Sequence, residues 1–270
     1  MTTDVSGTEF AWREAGDRSA PPMVLLHGLG GSRMSWEPQF AGLSERFRVA
    51  AWDLPGYGDS PALAGPTTFA SLAAAVMRFL DELGVERCHL VGISFGGMIA
   101  QYAAATYPCR ISTLALLATS PKFGVDGTHP DVWRAARLAP LDAGLEPRDF
   151  ATQVLHTIAG PQITKAAFAG QVLAMSRLSA DGLRRAVNCL VTHDSTHLLA
   201  RITAPTLCIV GHLDQETPVA YSQALVDAIP GASLAVVADA GHLVNVEAPE
   251  AVNRLLGEHA SRPEFEAKRD

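Results

Sequence analysis

The sequence is poor in cysteine and in positive charge, and each shortage argues against a class of function. Its 270 residues include four cysteines, Cys88, Cys109, Cys189 and Cys208, whose scattered positions fit neither a zinc-ligand pattern nor a disulfide framework. Lys and Arg number 21 against 28 Asp and Glu, which gives a formal net charge of −7. Because no basic stripe is present, we do not expect the chain to bind nucleic acid or an anionic membrane surface.

Long apolar runs are also missing. No uninterrupted apolar stretch approaches the length of a membrane span, and residues 1–20 lack the cationic start and apolar run of a secretory signal, so we expect a cytoplasmic protein. The hydrophobic fraction of 48%, with 18% charged residues, is typical of a globular chain that buries a sizeable core.

Short apolar runs alternate with helical patterns through the first 119 residues. Strands are predicted at Thr8–Glu14, Met23–Leu26, Phe47–Trp52, Cys88–Ile93 and Thr113–Leu117, and helices at Ser35–Arg46, Thr68–Leu83 and 97–106. This order predicts an α/β fold with a mostly parallel, doubly wound sheet. Ligands of such sheets bind outside the carboxyl ends of the strands.

The pattern changes between residues 120 and 201, where strand-like runs disappear and helical segments rich in Ala, Leu, Arg and Gln take their place. Alternation resumes with predicted strands at Thr206–Val210 and Ser233–Val237. We therefore expect one core made of residues 1–119 and 202–270, with residues 120–201 inserted before the last two strands as a helical lid. Lids of this kind supply substrate pockets and exclude water.

The predicted strand Cys88–Ile93 ends in Gly92-Ile93-Ser94-Phe95-Gly96, a Gly-x-Ser-x-Gly pattern that is followed by a helix. A sharp strand-to-helix turn of this type exposes a serine hydroxyl next to the free N–H groups of the helix start. The five residues alone fit an ordinary Gly-Ser turn equally well. Their interpretation depends on partners elsewhere in the chain.

A serine becomes a nucleophile when a base removes its proton and a third group orients that base. Asp214 and His242 follow the last two predicted strands, so they are expected at the same sheet edge as Ser94. The order Ser, Asp, His is that of one hydrolase architecture. The residues leave His27 open as another base, and Asp239 and Glu216 as other acids.

Five ordered motifs resemble those of the α/β-hydrolase superfamily and span nearly the whole chain. They are His27-Gly28, the loop DLPGYGDS at 53–60, GISFGG at 92–97, Gly211-His212-Leu213-Asp214 with Thr217-Pro218, and Gly241-His242 with Glu247 and Pro249. The resemblance implies Ser94 as nucleophile, His242 as general base and acid, and Asp214 as its orienting group. It also implies an oxyanion hole formed by the backbone N–H groups of Leu29 and Phe95, with His27 as a structural residue of that loop.

Within the superfamily the chain looks most like 3-oxoadipate enol-lactonases and related esterases. A serine at position 94 sets aside dehalogenases and epoxide hydrolases, which need a carboxylate there. We expect a serine hydrolase that cleaves a small carboxylic ester or (enol-)lactone through an acyl-serine, without cofactor or metal. The alternatives are a carbon–carbon bond hydrolase acting on meta-cleavage dienoates, a perhydrolase or lyase, and a ligand receptor on a hydrolase scaffold.

The substrate is expected to be a small molecule, and homo-oligomer formation is left open. Candidate pocket residues are the aromatic, Met and His side chains near the predicted site: His27, Trp36, Met98, Phe123, Trp133 and Met175. His193, Asp194 and His197, near the end of the predicted lid, form either a solvated helical face or a substrate contact.

Overall fold

The computed structural model describes residues 2–261, so residues 262–270 of the predicted core segment 202–270 lie outside the described part. Within that part, eight strands form one sheet in the order β1-β2-β4-β3-β5-β6-β7-β8. The strands are β1 (Thr3–Ser6), β2 (Ala11–Ala15), β3 (Pro22–Leu26), β4 (Arg48–Trp52), β5 (Cys88–Ile93), β6 (Ile111–Leu117), β7 (Thr206–Gly211) and β8 (Ser233–Val237). The pairs β1·β2 and β2·β4 are antiparallel, and all neighbours from β4 to β8 are parallel. The prediction of a mostly parallel α/β sheet is confirmed.

Helices connect the parallel strands. Those found in residues 2–261 are α1 (Glu37–Leu43), α2 (Phe69–Glu82), α3 (Phe95–Thr106), α4 (Pro130–Asp142), α5 (Pro147–Ile158), α6 (Lys165–Ser176), α7 (Ala180–Leu190), α8 (Val219–Ala228), α9 (Val244–Glu247) and α10 (Pro249–Ala260), with short 3-10 helices at Arg33–Trp36, Pro108–Arg110 and Leu199–Arg201. None of these helices is long and apolar enough to cross a membrane.

Helix α2 illustrates how the sequence specifies an element. Thr68 and Ser71 cap its start reciprocally, since each hydroxyl accepts the other residue's backbone N–H. Leu72, Val76 and Phe79, at spacings of four and three, are fully buried against the sheet.

The core lies on both faces of the sheet. One face packs against α2, α3 and α8, with residues such as Leu72, Ile99 and Leu225, and the other against α1 and α10, with residues such as Phe40 and Val252. Burial on both sides explains why the central strands are continuous apolar runs rather than alternating ones.

The amino-terminal elements differ from the prediction. The single strand expected at Thr8–Glu14 is replaced by β1 and β2, joined by a turn in which the N–H of Gly7 donates to the carbonyl of Phe10 at 2.8 Å. The helix expected at Ser35–Arg46 is divided into the 3-10 helix Arg33–Trp36 and α1, because Ser32 caps the first segment and Pro38 lies in the first turn of the second.

Four helices, α4 to α7, lie between β6 and β7 and are called here the insertion helices. The composition of residues 120–201 predicts helices without giving the bounds of each, and the last of the four observed helices is α7. It begins after the cap Ser179, whose hydroxyl accepts the N–H of Gly182 at 3.0 Å.

Candidate active site

Ser94 occupies the sharp turn between β5 and α3 with φ 52° and ψ −118°. Such a conformation is unfavourable for a residue with a side chain, at about 1–3 kcal/mol, and persists only where surrounding contacts fix it. Here the Ser94 N–H donates to the carbonyl of Leu117 at 2.9 Å, and the Thr119 hydroxyl donates to the Ser94 carbonyl at 2.8 Å. The backbone is therefore held from both sides, and the hydroxyl lies at the carboxyl edge of the sheet.

The two glycines of the turn are required by close packing. A Cβ atom on Gly96 would lie 2.6 Å from the carbonyl oxygen of His27, and one on Gly92 would lie 2.5 Å from the carbonyl carbon of Gly96. Neither position tolerates a side chain without backbone movement, which is the physical content of the Gly-x-Ser-x-Gly pattern.

His242 bridges Ser94 and Asp214. Its Nε2 lies 3.1 Å from the Ser94 Oγ, and its Nδ1 lies 3.0 Å and 3.1 Å from the two carboxylate oxygens of Asp214. Both His242 and Asp214 are buried, at 7% and 3% exposure. The hydrogen-bonding geometry fixes the tautomer in which Nδ1 carries a proton and Nε2 accepts one from the serine.

Asp214 is held ionised by several donors. Its oxygens accept the backbone N–H groups of Glu216 and Thr217, both at 2.9 Å, and the Thr217 hydroxyl at 2.8 Å. Burial alone would raise the pKa of the Asp214 carboxyl. The charge and hydrogen bond of His242, together with the hydrogen bonds from Thr217, outweigh burial and lower the pKa.

The pKa of His242 shifts in the opposite direction to that of Asp214. Burial favours the neutral ring, yet the pKa of His242 is raised above its ordinary value by the charge and hydrogen bond of Asp214, with further contributions from Glu216 and Glu247. The imidazolium formed when His242 takes a proton is therefore stabilised by carboxylates around it.

The loop that carries His242 is fixed by the buried carboxylate of Glu247. It accepts the N–H of Gly241 at 2.6 Å and that of Leu243 at 3.0 Å, one on each side of His242. The same carboxylate accepts the N–H of Gly160, just beyond α5, at 3.0 Å. One side chain thus joins the His242 loop to the insertion helices.

On the other side of Ser94 lies the loop 27–31, called here the β3 loop. A Cβ atom on Gly28 would lie 3.4 Å from the Ser94 Cβ, so the β3 loop passes in van der Waals contact with the serine. The next residue, Leu29, and the first helical residue, Phe95, have backbone N–H groups that donate to no other group within residues 2–261.

The β3 loop is held by the loop after β4. The Leu54 N–H donates to His27 Nε2 at 3.0 Å, and the Tyr57 hydroxyl donates to the Leu29 carbonyl at 2.8 Å. The rings of His27 and Tyr57 stack with centroids 5.5 Å apart. Burial lowers the pKa of His27, so the ring remains neutral and keeps these bonds. The other ring nitrogen, His27 Nδ1, lies 2.8 Å from the Gly28 carbonyl oxygen, so both ring nitrogens are engaged within these loops and His27 is not placed to act as the base of Ser94.

The other two acids that the sequence left open, Asp239 and Glu216, lie away from the Nδ1 side of His242. Asp239 is exposed and has a left-handed backbone with φ 58°, whereas Asp214 occupies the Nδ1 side of His242. Glu216 directs its carboxylate to Arg137 of α4 at 3.2 Å. The geometry therefore selects Asp214 as the acid in contact with His242.

The chain matches the alpha/beta hydrolase fold family over residues 21–249. The chain belongs to this family. It is 32% identical to the dihydrolipoyllysine-residue acetyltransferase component of the acetoin cleaving system of Cupriavidus necator, over 95% of this chain and 67% of that protein. It is 28% identical to 3-oxoadipate enol-lactonase 1 of Acinetobacter baylyi, over 93% of this chain and 92% of that protein.

Solved structures agree with this membership. The crystal structure of the enol-lactonase from Burkholderia xenovorans LB400 superposes with a TM-score of 0.83 at 26% identity, over 96% of this chain and 100% of that chain. The resemblance inferred from the five motifs, including that to enol-lactonases, is confirmed.

Two cavities open beside Ser94 in this alpha/beta hydrolase. The larger, of about 330 Å³, extends between the β3 loop and the insertion helices and is mostly apolar. The smaller, of about 110 Å³, lies towards the loop 120–128. Of the candidate pocket residues, Met175 lines the larger cavity, Met98 and Phe123 line the smaller, and Trp133 lines both.

Two of the pocket expectations are not met in this alpha/beta hydrolase. Trp36 is fully buried beneath the sheet with Phe40, and His27 serves the β3 loop, so neither lines a cavity. Of the two alternatives given for His193, neither fits: the side chain is 2% exposed, packs against Phe69 at 4.8 Å between ring centroids, and lines neither cavity. Asp194 and His197 are exposed as expected.

Sequence reasoning did not assign the roles of Tyr57, Glu247 and Arg137 in this alpha/beta hydrolase. Tyr57 and Glu247 stand in motifs that were noticed, but their hydrogen-bond partners lie 28 and up to 87 residues away along the chain. Nothing local in the sequence links Tyr57 to Leu29.

Proposed function

We propose that this protein is a serine hydrolase that cleaves a small carboxylic ester or lactone through an acyl-Ser94 intermediate. The observation that carries the proposal is the continuous chain of hydrogen bonds through His242. Its Nε2 lies 3.1 Å from the Ser94 Oγ, and its Nδ1 lies 3.0 Å from the Asp214 carboxylate. Groups at these distances can transfer a proton without moving.

In the proposed reaction the Ser94 Oγ attacks the carbonyl carbon of the substrate while His242 Nε2 takes the serine proton. The carbon–oxygen bond to the leaving alcohol then breaks, and the same proton passes from His242 to the leaving oxygen. Water then attacks the acyl carbon with His242 again as base, the bond to Ser94 Oγ breaks as His242 returns the proton to that oxygen, and the carboxylic acid leaves. Asp214 stays ionised throughout and stabilises the imidazolium, in keeping with its lowered pKa.

The negative charge on the carbonyl oxygen needs donors that are already in place. We assign this role to the N–H groups of Leu29 and Phe95, since they are unpaired within residues 2–261 and flank Ser94 from the β3 loop and from the start of α3. The positive end of the α3 dipole adds to the stabilisation of the oxyanion.

We assign residues 120–201 as a lid on a core formed by residues 1–119 and 202 onwards. Insertion helices α4 to α7 contribute the wall of the larger cavity opposite Ser94, for example with Trp133, Val154, Met175 and Val187. A wall of this kind excludes water from the acyl group and sets substrate specificity.

The relatives support the chemical class. Two proteins named 3-oxoadipate enol-lactonase and a pimeloyl-[acyl-carrier protein] methyl ester esterase cover most of this chain at 28% to 32% identity. Proteins named putative carbamate hydrolase are similar to the same degree. Hydrolysis of a bond to a carbonyl carbon is the reaction class we carry over to this chain.

The deciding experiment is hydrolysis of p-nitrophenyl acetate by Ser94→Ala. Removal of a triad nucleophile reduces kcat by about 10⁴- to 10⁶-fold, so the variant should show almost no turnover. Ser71→Ala, which alters a half-buried serine at the start of α2, serves as control and should retain the rate. Mass spectrometry after rapid acid quenching should find the acetyl group on Ser94. Retention of most of the rate by Ser94→Ala would refute the proposal.

A further inference from the structure

Ser94 borders two cavities that differ in size and in polarity. The larger cavity, of about 330 Å³, is lined mainly by apolar side chains of the insertion helices, such as Phe150, Val154 and Leu183. The smaller cavity, of about 110 Å³, is lined largely by polar side chains, among them Lys122, Asp126, Thr128 and Tyr221. Both border Ser94 and His242.

Trp133 lines both cavities. Its ring borders both, packs edge-to-face on Phe123 at 5.4 Å, and carries the Arg137 guanidinium 5.0 Å above its centroid. Arg137 in turn forms an ion pair with Glu216, which also borders both cavities. The contacts with Phe123 and Arg137 therefore fix the ring where it borders both cavities.

The proposed reaction assigns the cavities to different parts of an ester. In the tetrahedral intermediate the oxyanion faces the N–H groups of Leu29 and Phe95, while the leaving oxygen must face His242 Nε2 to receive its proton. Only the larger cavity borders the β3 loop, through Gly28, Leu29, Gly30 and Gly31. The smaller one has no residue of the β3 loop in its lining, and it borders both His242 and Thr217, whose hydroxyl lies 3.3 Å from His242 Nδ1.

We propose that the larger cavity binds an extended apolar acyl group and that the smaller cavity binds a short hydroxylated alcohol. The substrate class is therefore an ester of an apolar carboxylic acid with a small diol or polyol. The inference rests on the proposed acyl-Ser94 mechanism and adds to it the identity of the two substrate parts. Apolar walls favour the acyl chain, and polar side chains of both charges at the smaller cavity offer donors and acceptors to a free hydroxyl.

Two series of esters test the assignment, with proton release as the readout. Along methyl acetate, methyl butanoate and methyl hexanoate, kcat/KM should rise about fourfold per methylene, which corresponds to about 0.8 kcal/mol of apolar burial. Ethylene glycol monobutanoate and propyl butanoate match in size and differ by one hydroxyl. The glycol ester should be preferred about fivefold, the contribution of one net hydrogen bond.

A matched pair of variants locates each preference. Val154→Phe and Thr128→Phe each add a ring at a half-buried wall position, the first in the larger cavity and the second in the smaller. Val154→Phe should lower the ratio of hexanoate to acetate turnover and keep the ratio of glycol to propyl ester. Thr128→Phe should lower the ratio of glycol or propyl ester to methyl butanoate and keep the acyl ratio. Because both are ratios within one variant, partial unfolding does not alter them.

The outcomes separate the two levels of the proposal. A wild-type preference for the propyl over the glycol ester, or an exchange of the two effects between Val154→Phe and Thr128→Phe, overturns the assignment of the cavities and leaves the acyl-Ser94 mechanism intact. If the wild-type protein hydrolyses no ester in a Ser94-dependent manner, the mechanism itself fails and the assignment fails with it.

Discussion

Replacing Tyr57 with phenylalanine should slow catalysis although the side chain touches none of the reacting groups. The Tyr57 hydroxyl is the donor that holds the Leu29 carbonyl, at 2.8 Å, and the residue is fully buried. Its removal leaves that carbonyl without its partner, at a cost of about 1–3 kcal/mol, and frees the β3 loop to shift. The Leu29 N–H, which we assign to the oxyanion, moves with it.

The expected fall in kcat of Tyr57→Phe is smaller than that for complete loss of an oxyanion donor. Complete loss of one oxyanion donor costs about 10²- to 10³-fold in kcat, and here the donor is displaced rather than deleted. We therefore expect kcat to fall about 10- to 100-fold with KM nearly unchanged, since the donor acts on the transition state. A loss of stability alone does not produce this result, because a domain with about 5–15 kcal/mol of stability stays folded after losing 1–3 kcal/mol.

The assay is steady-state hydrolysis of p-nitrophenyl acetate, with urea unfolding of the same samples. Binding of a boronic acid that mimics the tetrahedral intermediate should weaken in parallel with kcat. Tyr102→Phe is the control, since it removes another 2.8 Å tyrosine hydrogen bond, to the Asp194 carbonyl, outside the β3 loop. If Tyr57→Phe unfolds at lower urea but keeps kcat within about twofold of wild type, the reasoning about the β3 loop is wrong.

Three further predictions concern titration and loop geometry. Because the pKa of His242 is raised from 6.5, kcat/KM should rise with pH to a plateau, and the midpoint of the rise should lie above pH 6.5. Asp214→Asn should move this midpoint below pH 6.5. A wild-type midpoint at or under pH 6.5 contradicts the prediction. Glu247→Gln should lower kcat about tenfold, because a hydrogen bond to a charged group is lost. It should also shift the midpoint of the kcat/KM profile to lower pH, because a negative charge near His242 is removed. An unchanged pH profile argues against the role given to Glu247. Burial lowers the pKa of His193 to about 4, so the folded state resists protonation, and the free energy of unfolding should fall by up to about 1.4 kcal/mol per pH unit between pH 6.5 and pH 4. Urea unfolding of His193→Gln at neutral and acid pH should show a weaker dependence on pH.

The parts of the fold that were predictable are those written in local patterns. Apolar runs such as Cys88–Ile93 and Thr206–Gly211 mark buried parallel strands, and their carboxyl ends bring Ser94, Asp214 and His242 to one edge although up to 148 residues separate them. The sheet topology brings these three residues together, so the order of the strands in the sequence was sufficient to predict that they lie at one edge.

Side-chain direction was not predictable in the same way. Trp36 and Trp133 both follow turn-rich segments, yet Trp36 lies in a 3-10 helix that packs onto the sheet, whereas Trp133 lies on an insertion helix facing Ser94. Which face a short helix presents depends on its cap and on the neighbouring element, and neither is encoded in spacing alone. For the same reason the bond from Tyr57 to Leu29 required the folded chain.

The contact between Glu247 and Gly160 bears on how this scaffold can be recombined. A Cβ atom at Gly160 would lie 2.6 Å from the Gly241 nitrogen and would also collide with the Glu247 carboxylate. A chimera that received the insertion of a relative would need a residue without a side chain at this junction, with its N–H aimed at the same carboxylate. Compatibility at that single glycine, rather than overall likeness of the grafted helices, then decides whether the histidine loop keeps its position. Libraries of exchanged insertions are best filtered at position 160 first.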